Sequence, residues 1–325
     1  MSNLMQLVWN EQIKLYIRTS TWILFVILAV IVLAAGIITK VMQNDVEMNT
    51  YDDDWKVELQ QENEQLTKEM EEVADMGMGM ESANSYQQSL IDKNNYYIDN
   101  DIKPKNFDGW QFVLDMVNFS TIISLFTIII AAGIVANEFK WGTIKLLLIR
   151  PVSRTKILLS KYLSVLLFAA AMLLFTLLFS WIVGSALFGL SGLNPSSVLS
   201  RDGQFTEVSL ITQIFSNYGF KMVNLVMMAT FAFMISSIFR TSGLAIGLSI
   251  FLMMAGSSVV VFVSQYDWAK YILFANTDLT VYINGMGPMI EGMTMTFSII
   301  VLLVYYAIFL ALSWLVFTKR DVAGQ

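Results

Sequence analysis

The chain contains no cysteine, no histidine and only four prolines among its 325 residues. Without cysteine there is no disulfide framework, thiolate metal ligand or thiol nucleophile. Without histidine there is no imidazole to move protons near neutral pH. Charged residues are also scarce, at 14% of the chain, where a soluble domain carries about 25%. These shortages argue against a soluble enzyme.

Apolar residues are abundant instead, at 56% of the chain with a mean hydropathy of +0.60. A helix needs about 20 apolar residues to cross the roughly 30 Å hydrocarbon core of a bilayer. Six runs are long enough, at residues 21–40, 112–136, 160–189, 220–239, 243–265 and 296–317. The sequence therefore predicts an all-α integral membrane protein with six transmembrane helices.

Two segments outside these runs predict further helices. Residues 1–20 combine apolar side chains with Glu11, Lys14 and Arg18, a pattern typical of an amphipathic helix in the membrane interface. Residues 41–111 contain two stretches with helical periodicity, separated by a break that contains glycine. We expect this second segment to form a helical hairpin that projects from the membrane.

The distribution of charge predicts the orientation. The connection 137–159 is short and basic, and such loops stay in the cytoplasm, so both chain ends, including the tail 318–325, are expected there too. The acidic segment 41–111 and the loop 190–219 then lie outside the cell. Residues 266–295 carry interfacial aromatics and several glycines, so they form either an extracellular loop or a re-entrant segment.

The basic connection carries an unusual motif, Asn-Glu-Phe-Lys-Trp-Gly-Thr, followed by an apolar run and then Arg-Pro-Val-Ser-Arg. Simple retention of a basic loop in the cytoplasm does not need these residues. They indicate an amphipathic element at the membrane face, which ends at Pro151 and then restarts. We expect a cytoplasmic partner to dock there, on Glu138, Trp141, Gly142, Thr143, Lys145, Leu146, Arg150, Pro151, Arg154 and Lys156.

Motifs for catalysis or nucleotide binding are missing from the sequence. It has no G-x-x-x-x-G-K-[ST] phosphate loop, no G-x-S-x-G elbow and no zinc-binding helix motif. We therefore predict no catalytic residue, no metal site and no cofactor bound by this chain. No charge lies deep in a span, which argues against an ion-coupled transporter. Gly243 and Gly247 form a GxxxG pair that allows close helix packing, within the chain or with a partner protomer.

The layout and the loop motif together resemble the permease subunits of type-2 ATP-binding-cassette (ABC) exporters, particularly the small Gram-positive kind. The resemblance covers nearly the whole chain except residues 45–100. It includes the interfacial helix, the six spans and the soluble domain after the first span. The loop residues that match the family pattern are Glu138, Gly142, Thr143, Pro151, Ser153 and Arg154.

The resemblance implies two permeases, identical or related, on two copies of a separate ATPase subunit that holds ATP and Mg²⁺. The loop would be a coupling helix seated in the ATPase, with Glu138 and the basic residues at the rim of the contact and Trp141 and Leu146 at its centre. The expected cargo is an amphipathic or hydrophobic compound, such as an antimicrobial peptide, a drug or a lipid-like molecule. Membrane lipids are expected partners and nucleic acids are not.

A second interpretation keeps the ATPase partner but omits transport. The hairpin in residues 41–111 would then transmit ATP-driven motion to an envelope protein or sense an extracellular peptide. It is motivated by the acidic, helix-rich composition of this segment, which transport does not require. In both interpretations the protein belongs to the bacterial plasma membrane.

Overall fold

The computed structural model describes residues 4–45, 54–75, 81–143, 152–192, 195–201, 204–239, 241–284 and 287–319. Within these residues, six helices are long and apolar enough to cross a membrane. This confirms the prediction of a mainly helical protein with six candidate spans.

The helices and strands are labelled in chain order. The spanning helices are α2 (Thr19–Asp45), α6 (Ser120–Lys140, preceded by α5, Gly109–Asp115), α7 (Arg154–Phe188), α8 (Leu210–Ile238), α9 (Ser242–Val263) and α11 (Met295–Lys319). The other elements are α1 (Leu4–Tyr16), α3 (Trp55–Asp75), α4 (Glu81–Asp99), β1 (Ser196–Arg201), β2 (Gln204–Ser209) and the short α10 (Leu273–Asn276).

Helices α6 and α8 form the centre of the bundle. Of the apolar stretch that could cross the membrane, 72% is buried in the span that contains α6 and 61% in α8, whereas only 17% is buried in α9. The small residues Ala131 and Ala132 on α6 are fully buried and allow close approach of a neighbouring helix. The Ser236 hydroxyl on α8 accepts the backbone N–H groups of Val135 and Ala136 at 3.2 and 3.1 Å. These bonds bring the last turns of the two helices together.

The two ends of the described chain lie at the same end of the bundle, which we call the α1 end. Ser153 caps the start of α7, and the Arg154 guanidinium donates to the Thr318 carbonyl at the end of α11 at 2.9 Å. Helix α1 packs on the same part of α7, because Gln12 donates to the Ser164 carbonyl at 2.9 Å. The first and last described helices therefore meet at α7.

The opposite end, called the hairpin end, carries described elements that are not candidate spans. Helices α3 and α4 are antiparallel, since Asn63 bonds to Asn94 while Glu69 bonds to Gln87. Strands β1 and β2 form an antiparallel hairpin that contacts α4 through the Tyr96 and Phe205 rings, 5.6 Å apart. The sequence analysis assigned this region to a plain loop, residues 190–219, so the β-hairpin is an addition to the expected helical architecture.

The described part of the segment 266–295 contains short helical turns at Asp267–Tyr271, Leu273–Asn276 and Leu279–Tyr282, and it is bonded to α8. The Asn224 side chain donates to the Thr277 carbonyl at 3.2 Å, and Asn284 donates to the Asn217 side chain at 3.1 Å. Amide groups of α8 therefore hold this segment at the hairpin end. Its depth in the membrane, outside or re-entrant, stays a prediction.

Candidate coupling site at the α1 end

Three helices meet at one buried lysine. Lys161, in the second turn of α7, has a side chain only 1% exposed. Its ammonium lies 2.8 Å from a Glu11 carboxylate oxygen on α1 and 2.7 Å from a Glu138 carboxylate oxygen at the end of α6. Lys14 adds a second cation, 2.6 Å from Glu11 and 3.9 Å from Glu138. We call these four residues the ionic cluster.

The charges of the ionic cluster balance, two carboxylates against two ammonium groups. Such balance matters because an unpaired ion in a protein interior costs several kcal/mol in lost hydration. Burial alone would raise the pKa of the Glu11 carboxyl. The charge of Lys161 and the hydrogen bonds from Lys14 and Lys161 outweigh burial, so the pKa of Glu11 lies below its usual value.

The chain leaves α6 directly beside this cluster. Gly142 adopts a φ of +68°, the left-handed conformation that ends many helices and that glycine adopts without strain. The Thr143 hydroxyl then turns back and donates to the Glu138 carboxylate. Trp141 faces outward and is 57% exposed, with the Arg18 guanidinium 5.2 Å from its ring. The end of α6 thus presents a buried ion pair on its inner side and an exposed tryptophan on its outer side.

Comparison with known proteins assigns the chain to a family. A family model described as "Protein of unknown function (DUF2705)" matches residues 81–323. The chain belongs to this DUF2705 family. It is 42% identical to "Uncharacterized protein YhcI" of Bacillus subtilis (strain 168) over 325 residues, covering 99% of this chain and 100% of the relative.

A second relative is "Uncharacterized membrane protein YdbK" from the same organism. It is 34% identical over 220 residues, covering 67% of this chain and 84% of the relative. This likeness and the six candidate spans make the DUF2705 chain a multi-pass membrane protein.

The structure changes the role expected for Glu138 in this DUF2705 chain. The sequence analysis put it at the charged rim of a partner contact, but it is buried and both its oxygens are bonded inside the chain. Arg154 is likewise bonded internally, to Thr318. Trp141 and Lys156 are exposed and remain available to a partner. The expected contact residues Lys145, Leu146, Arg150 and Pro151 lie outside the described residues.

The sequence analysis counted Lys161 only among the basic residues of this region and did not predict that it is buried. It lies on the buried stripe of α7 formed by Ile157, Leu158 and Val165. These positions repeat with helical spacing, so a lysine among them belongs to the buried face. That spacing is a signal that a close reading of the sequence could have used.

The GxxxG pair of the DUF2705 chain faces away from its own helices. A Cβ atom built on Gly243 or Gly247 would meet nothing within 4 Å, and neither residue is buried. The pair therefore contributes no close packing among the described residues of this chain.

Proposed function

We propose that this chain is the permease subunit of an ABC exporter, coupled to a separate ATPase subunit at the α1 end. The observation that supports it best is the ionic cluster, in which Lys161 joins α1, α6 and α7 beneath the exposed Trp141. A coupling device needs a surface that a partner can grip and a rigid connection from that surface to the spans. Both lie within a few residues here.

The rigidity has a physical basis. Removing one partner from a buried ion pair costs about 3–5 kcal/mol, so pulling Glu11 or Glu138 away from Lys161 is costly. A push on the loop would therefore move α1 and the ends of α6 and α7 as one body. Because α6 packs on α8 at the centre of the bundle, such a displacement would reach the middle of the membrane. Rigid-body movement between two arrangements is a common way in which proteins transmit such changes.

The same proposal sets the orientation and the location. Lys140, Arg154, Lys156 and Lys319 lie at the α1 end, and basic residues flanking spans face the cytoplasm. Both termini are then cytoplasmic, and the hairpin end faces outward from the bacterial plasma membrane. Met5, Trp9 and Ile13 form an exposed apolar stripe at every fourth residue of α1, and the exposed Ile17 follows just after the helix. Such a stripe suits a helix lying against membrane lipids.

The cargo is proposed from the surface of the spans. A groove of about 410 Å³ runs between α8 and α11, with walls that include Phe220, Met227, Leu303 and Tyr306. Apolar walls containing methionine accommodate varied apolar shapes. We therefore assign an amphipathic or hydrophobic cargo, such as an antimicrobial peptide, a drug or a lipid-like molecule.

The second permease is assigned to the open face of α9. Gly243 and Gly247 leave room there for close approach of another helix. The partner permease, identical or related, would pack against this face. In the whole assembly ATP and Mg²⁺ would bind only to the two ATPase subunits.

The proposal is tested by purifying the tagged chain in lipid nanodiscs and identifying co-purifying proteins by mass spectrometry. We expect a stoichiometric ATPase subunit with a phosphate loop, and ATP hydrolysis by the complex. The matched variants are Trp141→Ala and Trp268→Ala, because these tryptophans are 57% and 56% exposed at opposite ends of the bundle. Trp141→Ala should weaken ATPase binding by about 2 kcal/mol or more, as expected for an aromatic anchor, and Trp268→Ala should not. A chain that purifies alone, or equal binding by both variants, would refute the proposal.

The alternative function, an ATPase-linked transmitter or peptide sensor without transport, has one supporting observation. The α3–α4 pair contacts the β-hairpin through Tyr96 and Phe205, and β2 runs directly into α8. Lys105 in the linker after α4 also donates to Ser196 on β1 at 2.9 Å. Motion of the spans could therefore reach it. Deleting residues 52–100 separates the two functions: a transporter would keep its drug- or peptide-stimulated ATP hydrolysis, and a sensor would lose it.

A further inference from the structure

A polar cavity of about 220 Å³ lies at the hairpin end, between α4, the linker that precedes α5, and β1. It is well separated along the chain from the ionic cluster, and the coupling proposal makes no use of it. Its volume corresponds to about seven water molecules and is smaller than the roughly 300–1,000 Å³ of sites for drug-sized ligands. A single small molecule would fill it.

Two lysines, Lys93 and Lys105, line this cavity. Lys93 projects from α4, where burial lowers its pKa and the charge of Glu62 opposes that change. Lys105 comes from the linker and donates to the Ser196 hydroxyl at 2.9 Å. Among the residues that the structure describes, neither lysine has a carboxylate oxygen within 4 Å, although Lys93 also lies 6.0 Å from the Tyr97 ring centre. Two ammonium groups thus line one cavity, and neither forms a direct ion pair with a described residue.

The carboxylate that lines the cavity is already occupied. One oxygen of Asp108 accepts the backbone N–H groups of Trp110 and Gln111, each at 3.0 Å. The other accepts the Ser191 N–H at 3.1 Å and the Ser191 hydroxyl. These four donors hold the linker and cap α5, so both carboxylate oxygens of Asp108 are already hydrogen-bonded within the chain.

The rest of the lining has a mixed character. Tyr97 and Phe107 contribute aromatic surface, and Asn106 and Gln111 contribute amides. A hydrogen bond joins the Tyr97 side chain to the Val198 backbone on β1, which fixes one wall. An inorganic anion would use only the lysines, whereas a small organic acid would use the aromatic walls as well.

We propose that this cavity binds a small organic carboxylate, of about the size of one amino acid, through Lys93 and Lys105. Each ammonium donates a charge-assisted hydrogen bond to the carboxylate, the stronger class of hydrogen bond in proteins. The ligand would join α4 to the linker and to β1. The site does not depend on ATPase coupling.

The experiment compares two ligands of nearly equal shape on the full-length chain in nanodiscs. N-acetylalanine carries the carboxylate, and N-acetylalanine amide replaces it with a neutral group. Binding is measured by saturation-transfer NMR titration. We expect saturable binding of the acid and at least about tenfold weaker binding of the amide. Equal binding of acid and amide, or no saturable binding of the acid, would overturn the proposal.

Matched variants locate the site. Lys93→Gln with Lys105→Gln should weaken binding of the acid at least about tenfold, whereas Lys103→Gln should leave it unchanged. Lys103 is an exposed lysine two residues from Lys105 and is not part of the cavity lining. Lys105→Gln alone, at an exposed position, provides a variant that keeps the fold and should show a smaller loss. Unchanged binding in the double variant, or inorganic phosphate binding as tightly as the acid, would refute an organic carboxylate site.

Discussion

Replacing Lys161 by methionine is the most direct perturbation of the ionic cluster. The change keeps an unbranched side chain of nearly the same length and removes its charge. It leaves Glu11 and Glu138 side by side in a site where each side chain is only 10–12% exposed. Removing one partner of a buried ion pair costs about 3–5 kcal/mol. Lys14 stays 2.6 Å from Glu11 and 3.9 Å from Glu138, so we expect the lower end, about 3 kcal/mol in the free energy of unfolding.

The assay is denaturant unfolding in mixed micelles, monitored by tryptophan fluorescence, with Lys156→Met as the control. Lys156 lies on the same helix but is exposed, so its replacement should change the free energy of unfolding by no more than about 0.5 kcal/mol. Adding Glu138→Gln to Lys161→Met removes one uncompensated charge and should restore part of the stability. Equal effects of the two lysine variants, or no recovery in the double variant, would refute the ionic cluster as a structural element.

Two further predictions concern pH and packing. The pKa of Glu11 is lowered in the folded chain, so its ion pairs stabilise the protein above about pH 4.5, and this stabilisation is lost as pH falls through the folded pKa. The free energy of unfolding, measured from pH 7 to 3, should therefore be higher for the parent than for Glu11→Gln at pH 7. The difference should disappear in acid. Gly109→Ala should lower stability by about 1–3 kcal/mol, since its Cβ would lie 2.8 Å from the Gly184 backbone. Gly219→Ala, with open space around it, is the control, and equal melting of both would contradict the close contact.

The spans were predictable because hydropathy over about 20 residues needs no tertiary information. The first predicted run, 21–40, lies inside α2, and the sixth, 296–317, lies inside α11. The ends of α8 were harder, since the prediction began at residue 220 and the helix begins at Leu210. Its first turns carry polar residues such as Gln213, which bonds to Ser197 on β1. Hydropathy does not register a helix that continues beyond the apolar region.

The β-hairpin was missed for a different reason. Its strands are six residues each and do not alternate clearly between apolar and polar positions. The sequence nevertheless places Asp202-Gly203 between Arg201 and Gln204, which are paired across the hairpin. Asp-Gly is among the dipeptides most typical of a two-residue hairpin turn. A turn-based search would have found what a periodicity-based search did not.

The ionic cluster shows the limit of a motif match. Lys161 lies 23 residues from Glu138 but 150 residues from Glu11, so no local pattern announces that the three meet. A motif also identifies residues without showing which way their side chains point. Glu138 and Trp141 are three residues apart, yet Glu138 is buried and Trp141 is exposed. Their effects should therefore separate. Glu138→Gln should lower the free energy of unfolding, because it weakens a buried ion pair. Trp141→Ala should change it by no more than about 0.5 kcal/mol while weakening ATPase binding. If both variants lost stability and binding in parallel, an inward structural role and an outward docking role could not be assigned to different residues of this loop.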